Sequence, residues 1–190
     1  MVKQRKSDRS CLVLHSGGID STTCIQFMLE RGYEVSALHV DYGQPANGRE
    51  ADAARAISEH YGHSLSFGTA RSAGGKAEDL SRGRNLLLLA LALVRAPSPG
   101  VVVIGIHLGS EFPDCDDAFI EETQRLYDRY ALGGIQILAP FSSWSKVDIW
   151  HYAKRTAVPL HLTYSCDLGG EQPCGACSSC KDLEALRALT

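Results

Sequence analysis

The chain has 190 residues, 44% hydrophobic and 22% charged, enough for one folded domain with its own core and unlike a disordered or disulfide-dependent chain. A net charge of −3 excludes an overall basic field for nucleic-acid backbones. The longest apolar run, 86–94, falls far short of the roughly 20 residues of a membrane span, and no apolar signal stretch follows the basic start MVKQRKSDRS, so residues 1–9 read as a flexible N-terminus and the expected compartment is cytoplasmic.

Strand-like and helix-like patterns then alternate. Residues 11–15 form a short apolar strand that runs into Ser16-Gly17-Gly18, and 19–31 carry a helical pattern. A second strand spans 34–40 and ends in Asp41-Tyr42-Gly43-Gln44. An alanine-rich helix is predicted over 48–61 and a third strand over 64–69. Residues 70–83 are polar and glycine-bearing, a loop over something. A buried helix covers 85–95, a central strand 100–106, and an amphipathic helix 115–130. A strand at 135–138 and a helix at 146–155 lead into a loop-like, cysteine-rich tail at 160–180 before a short last helix. This order predicts an α/β fold, a Rossmann-like parallel sheet with helices on both faces and a C-terminal zinc-binding loop. No repeat or linker divides 10–190, which read as a single domain.

The first strand–helix junction carries the chemistry. Gly17 and Gly18 let the backbone approach an anion, and the amides of the helix start, with about half a positive charge from the helix dipole, then face it. Ser16, Ser21 and Thr22 add hydroxyls, and Leu14 lies near the end of the strand that delivers the loop. Asp20 needs an offset beside phosphate, and a magnesium ion or a structural cap are its natural jobs. The string is neither Walker A nor a dinucleotide fingerprint. A bare glycine turn with a serine N-cap is the plain alternative; SGGIDST at this junction favours phosphate.

Cys166, Cys174, Cys177 and Cys180 form C-x7-C-x2-C-x2-C. Four thiolates so spaced can close tetrahedrally on zinc, and an iron–sulfur cluster can also use a CxxCxxC run. We read the set as structural zinc, pinning a long loop near the active site. Cys11 and Cys24 read as small core residues.

SGGIDST resembles the pyrophosphatase loop (PP-loop) of enzymes that cut ATP between the α and β phosphates and leave AMP on a substrate oxygen. With the cysteine tail, and with DYGQ at 41–44, Gly83-Arg84-Asn85, Pro113-Asp114-Cys115, Pro140-Phe141 and Trp144 to Lys146, the chain resembles the 7-cyano-7-deazaguanine synthase family from about residue 10 to residue 188. The resemblance implies that ATP and magnesium adenylate the carboxylate of 7-carboxy-7-deazaguanine. Ammonia then gives the amide, and a second ATP drives dehydration to the nitrile. It implies Asp20, Ser16 and Lys146 as catalytic residues. ATP would be held by Leu14, the Ser16–Thr22 loop, Tyr42, Gln44, Arg84 and Asn85. His107-Leu-Gly-Ser-Glu-Phe112 departs from the family's acid-and-serine string, so His107, Glu111, Asp114, Cys115 and Asp117 are the candidates for the purine-like edge, whose ring donors suit carboxylates.

A second reading follows from the altered pocket: a relative that diverts the adenylated deazaguanine to amide formation with another amine, such as a protein amine. A tRNA-modifying adenylating enzyme fits less well, because the acidic chain has no basic surface and no added RNA-binding module. The expected partners are the small deazaguanine and ammonia or another amine, with no nucleic acid and no membrane. A homodimer is implied by resemblance alone.

Overall fold

Alternation along the first strand decides the architecture. In the computed structural model, which describes residues 9–70, 83–98, 100–110 and 112–189, β1 (Ser10–Leu14) sends Cys11 and Val13 to one face and Leu12 and Leu14 to the other, all buried. A strand apolar on both faces needs helices above and below it. The expected loop at 70–83 and the candidate Glu111 lie outside the described residues, apart from Ala70 and Gly83, as does the N-terminal stretch apart from Arg9.

Five parallel strands follow in the order β3-β2-β1-β4-β5, with β2 at Glu34–Asp41, β3 at Ser64–Thr69, β4 at Gly100–Val103 and β5 at Ile135–Leu138. Val13 lies opposite Ala37 of β2 and Val103 of β4. On one face α1 (Ile19–Glu30), α2 (Asn47–Tyr61) and α5 (Lys146–Arg155) bury Ile25, Met28, Ile57 and Ile149 against Cys11 and Val13. On the other, α3 (Arg84–Arg95) and α4 (Asp117–Tyr130) bury Leu89, Ala92 and Tyr127 against Leu12, Val102 and Ile104. Full burial of one such aliphatic side chain contributes roughly 1.5–3 kcal/mol. Tyr127 ties its layer together by donating its hydroxyl to Leu89 O at 2.6 Å. Gln124 pairs with the edge strand β5, accepting from Ile137 N at 2.7 Å and donating to Ile135 O at 3.1 Å.

Three elements differ from the sequence expectation. The strand predicted over 100–106 ends at Val103, because the chain then passes over the start of α1: a Cβ on Gly105 would stand 3.2 Å from Asp20 C and Ser21 N. The helix predicted from 115 starts at Asp117, since Asp116 caps it by accepting from Phe119 N at 2.8 Å. The helix at 85–95 is only half covered. Leu86 and Val94 stand 45% and 84% exposed, because one side of α3 meets the sheet and the other faces outward.

The tail folds back over the sheet's carboxyl ends. After a short turn of 3-10 helix at Leu160–Leu162, Tyr164 N donates to Gly17 O at 3.0 Å, and α6 (Ser178–Ala188) follows the cysteines. At Gly169, with φ of +69°, a Cβ would lie 2.8 Å from Ala46 Cα, so only glycine lets the tail rest on the β2–α2 loop. The neighbours β1 and β4 lead to connections that leave the sheet in opposite directions. The crevice outside their carboxyl ends is where ligands sit in such folds.

Candidate functional site

The crevice is a cleft of about 300 Å³, with Leu14, Ser16, Gly18, Asp20 and Ser21 on its floor. Gly17 has φ of +80°, and a Cβ there would meet Glu50 O at 2.5 Å and Ala53 Cβ at 2.9 Å. It is therefore the hinge under α2, and Gly18 faces the cleft. Gly17→Ala is expected to displace the loop and to lower stability by roughly 1–3 kcal/mol, read as an earlier thermal melt together with weakened ATP binding by calorimetry; an unchanged melt with unchanged affinity would remove this account.

α1 starts at Gly18 with no side-chain cap, so the plain reading of a serine N-cap does not hold. Ser16 Oγ instead accepts from Gly18 N at 3.3 Å, and Thr22, fully buried, donates to Gly18 O at 2.7 Å. Thr22 thus shapes the loop without lining the cleft. Ser21 Oγ is the hub of the turn, within 3.2–3.3 Å of Ser16 N, Ser16 Oγ and His15 Nδ1. His15 stands directly before Ser16 of the loop, where a linear reading sees a strand's last residue. Burial, with His63 and His39 beside it, pushes it down to about 3, so it works as a neutral ring. The helix start carries no side-chain cap and lies on the cleft, and uncapped first-turn N–H groups are the kind of donors an anion can take.

Asp20, in the first turn of α1, is no cap. Its carboxyl is raised by burial, while His107 and Lys146 pull it down and Asp182 pushes it up. A carboxylate so placed needs a cation as its complement. Lys146 is the first residue of α5, whose entry is locked by a capping box: Ser145 Oγ accepts from Asp148 N at 3.2 Å and Ser145 N donates to Asp148 Oδ2 at 3.0 Å. That lock delivers Lys146 to the cleft, where it pairs with Asp182 of α6.

The opposite wall carries Tyr42, Gln44, Arg84 and Asn85, as the sequence predicts, together with Glu50. The amide of Gln44 is fully engaged, accepting from Tyr42 N at 2.9 Å and donating to Val40 O at 3.1 Å and Glu50 Oε2 at 2.8 Å. Its role is to hold Glu50. Burial raises the Glu50 carboxyl, against the Gln44 hydrogen bond and the nearby His39 and Arg84. The tail adds Tyr164, Ser165 and Asp167, the last held by Ser179 Oγ at 2.9 Å.

The other purine-edge candidates sit elsewhere. Asp114 is buried and accepts from Asn85 N at 2.8 Å, while its backbone O accepts from Asn85 Nδ2 at 2.8 Å, so it anchors the start of α3. Cys115 Sγ lies 3.2 Å from Asn85 Nδ2, and Asp117 is an exposed first-turn acid of α4. None of the three lines the cleft. His107 is half-buried near Asp20, with Nδ1 2.8 Å from Leu108 O.

Sequence reading missed Glu50, Asp167, Asp182 and His15. His15 adjoins Ser16 of the loop and was readable; the other three arrive only when α2 and the tail fold over the loop.

Beside the cleft, the sulfurs of Cys166, Cys174, Cys177 and Cys180 lie within 4.8 Å of one another. Cys177 caps α6, its sulfur accepting from Cys180 N at 3.4 Å, and Cys174 Sγ accepts from Cys177 N at 3.3 Å. Backbone donors pull the Cys166 thiol down to about 6 and lower Cys174 as well, whereas burial pushes Cys180 up to about 12. Thiolates on a single tetrahedral ion at 2.3 Å stand roughly 3.8 Å apart, and Cys174 and Cys180 are at 3.9 Å. The four fit one metal ion.

The sequence model of the queuosine biosynthesis protein QueC matches residues 10–77 and 75–188. The 7-cyano-7-deazaguanine synthase of Synechococcus sp. (strain CC9605) is 34% identical, over 94% of this chain and 92% of its own length. That of Methanoculleus marisnigri is 34% identical over 95% of both. Among solved structures, NMN synthetase from Francisella tularensis superposes with a TM-score of 0.50 at 16% identity, covering 87% of this chain and 69% of its own. The U34-tRNA thiolase NcsA from Methanococcus maripaludis, with its four-iron four-sulfur cluster, gives 0.51 at 16%, covering 96% and 65%. These two speak for the fold alone. Among the described residues no helix is long and apolar enough to cross a membrane.

Proposed function

The chain belongs to the family of the queuosine biosynthesis protein QueC, and from that premise we propose that it converts 7-carboxy-7-deazaguanine to 7-cyano-7-deazaguanine by consuming ATP. The observation that carries the reading is the uncapped start of α1, opening onto a cleft shared by Asp20 and Lys146.

A carboxylate is a poor electrophile because its leaving group would be oxide. Attack of the substrate carboxylate on the α-phosphorus releases pyrophosphate and makes AMP the leaving group. Ammonia displaces AMP to give the amide, and adenylation of the amide oxygen by a second ATP lets AMP depart with the loss of two N–H protons, leaving the nitrile. The protein's task is positioning and charge neutralisation. Ser16, Gly18, Ser21 and the open amides of α1 hold the phosphates. Lys146 meets charge developing on the departing pyrophosphate. Asp20 is the residue that would hold magnesium, which when bound neutralises the triphosphate. Arg84 and Tyr42 line the opposite wall. Glu50 and Asp167 are the carboxylates we assign to the ring N–H donors of the deazaguanine. Asp114 and Cys115 act through Asn85 and the placement of α3.

The four thiolates are proposed to hold structural zinc, because their spread suits a single ion, whereas a four-iron cluster binds each cysteine to a different metal atom and needs a wider cradle. Zinc there would pin the tail that supplies Tyr164, Ser165 and α6. A homodimer is proposed from the exposed apolar residues Leu86, Val94, Leu126, Tyr130 and Leu132 on and after α3 and α4.

The assay is the purified chain with 7-carboxy-7-deazaguanine, ATP, magnesium and ammonia. Mass spectrometry is expected to find the nitrile, with two AMP and two pyrophosphate per product. ATP use that yields ADP, or no reaction at all, defeats the reading. The relatives' names support the nitrile, and no observation favours diversion to another amine.

A further inference from the structure

The helix that follows the cysteine cluster, α6, lines the cleft, and one of its side chains there is charged: Asp182. Cys177 caps α6 and Cys180 lies in its first turn, so α6 is oriented by the thiolate cluster. Asp182 follows two residues later and pairs with Lys146 Nζ. Both line the cleft, and both act electrostatically on Asp20. Lys146 therefore pairs with one carboxylate, on the tail, and lies close enough to act on a second, Asp20 in the first turn of α1. Its backbone is set by the Ser145–Asp148 capping box, but its four-carbon stem is not. The pair is partly exposed, 35% at Lys146 and 47% at Asp182, and pairs of that kind contribute little to folding. Its consequence is geometric.

We propose that Asp182 is a positioning residue: it holds the Lys146 ammonium away from collapse onto Asp20 and at the place where charge develops on the leaving pyrophosphate, so that the cysteine cluster sets the catalytic geometry through α6. This rests on the adenylating reading above. It makes the tail part of the phosphate-handling machinery as well as a wall of the cleft.

The test uses the metal-loaded full chain. Asp182→Asn keeps the shape and removes the charge. Turnover is expected to fall by roughly ten- to a hundredfold, since a misplacement of about 1 Å in a catalytic arrangement can cost about 10²-fold. The KM for ATP should stay level or drop, since a negative charge has been removed near the triphosphate. Metal content and melting should be unchanged, and Asp182→Glu should recover most of the rate. In a Lys146→Met background, Asp182→Asn should cost less than about twofold, because its effect runs through the lysine. A readout free of turnover is heteronuclear NMR of the lysine ammonium groups: the held Lys146 signal, resolved in the nucleotide-free chain, should leave its wild-type position in Asp182→Asn, by shifting or by vanishing.

Wild-type turnover in Asp182→Asn, an equal loss in the Lys146→Met background, or a Lys146 signal unchanged from wild type would each overturn the proposal. A Lys146 signal changed by Asp182→Asn, while the wild-type chain forms no AMP from the carboxy-deazaguanine, would support the pairing and sink the adenylating reading alone.

Discussion

Asp20→Ala is expected to lower AMP and pyrophosphate formation by about 10³-fold, the upper range for deleting one preorganised electrostatic partner of a developing charge. The expectation comes from placement. Asp20 sits in the first turn of α1, at the uncapped helix start proposed to take the triphosphate, and it lines the cleft with Lys146. A carboxylate there repels phosphate unless a cation stands between them, and magnesium supplies one. Stability should move the other way. Burial raises the Asp20 carboxyl above its ordinary value, so the folded chain holds this proton more tightly than the unfolded chain does. Such a group costs folding free energy once pH rises through and beyond the folded value, and alanine removes that cost. At neutral pH the variant should melt no earlier than the wild type, and the gap should close as pH falls below the ordinary carboxylate range. Steady-state pyrophosphate release and melts at three pH values check both halves. Near-normal turnover would show that phosphate charge is handled elsewhere.

How far the site was legible follows from the same contrast between local and folded-over chemistry. The phosphate loop could be read because its determinants are contiguous: an apolar strand, two glycines and a helix start. Lys146 could be read because a motif carried it, and the structure adds the capping box that aims it. Asp114 shows where residue type misleads. A carboxylate suits a purine's donors and a helix's first amides equally well, and only burial against Asn85 N shows which partner it has. Glu50, Asp167 and Asp182 were out of reach for another reason. Each lies on an element that joins the cleft only after α2 or the tail has packed on the loop, through contacts such as Tyr164 N to Gly17 O at 3.0 Å. The half-exposed α3 belongs to the same class. A run such as LLLLALALV announces burial, but which flank of the helix is covered depends on what stands beside it, and here α4 covers one side only.

Cys177→Ser extends this reasoning to the tail, whose fold depends on more than its own contacts. The segment from Cys166 to Cys180 carries little apolar burial of its own: residues 171–176 are all exposed. The cluster therefore holds this segment together, while Gly169 on the β2–α2 loop, Tyr164 on the phosphate loop, buried Leu186 and the Asp182–Lys146 pair tie it to the domain. Metal binding to the folded state stabilises it by mass action. If serine weakens the metal about 10³-fold, roughly 4 kcal/mol of that linkage disappears, which is roughly 10 °C in melting temperature for a domain of this size. Zinc measured by plasma mass spectrometry should drop below one per chain in the same preparation. Turnover should fall too, because Cys177 caps the helix that presents Asp182 to Lys146. The sharper signature is that added zinc partly restores melting temperature and rate together in the variant, since one reordered element carries both. Full zinc with an unchanged melt would mean that the remaining three thiolates suffice and that Cys177 serves α6 as a cap alone.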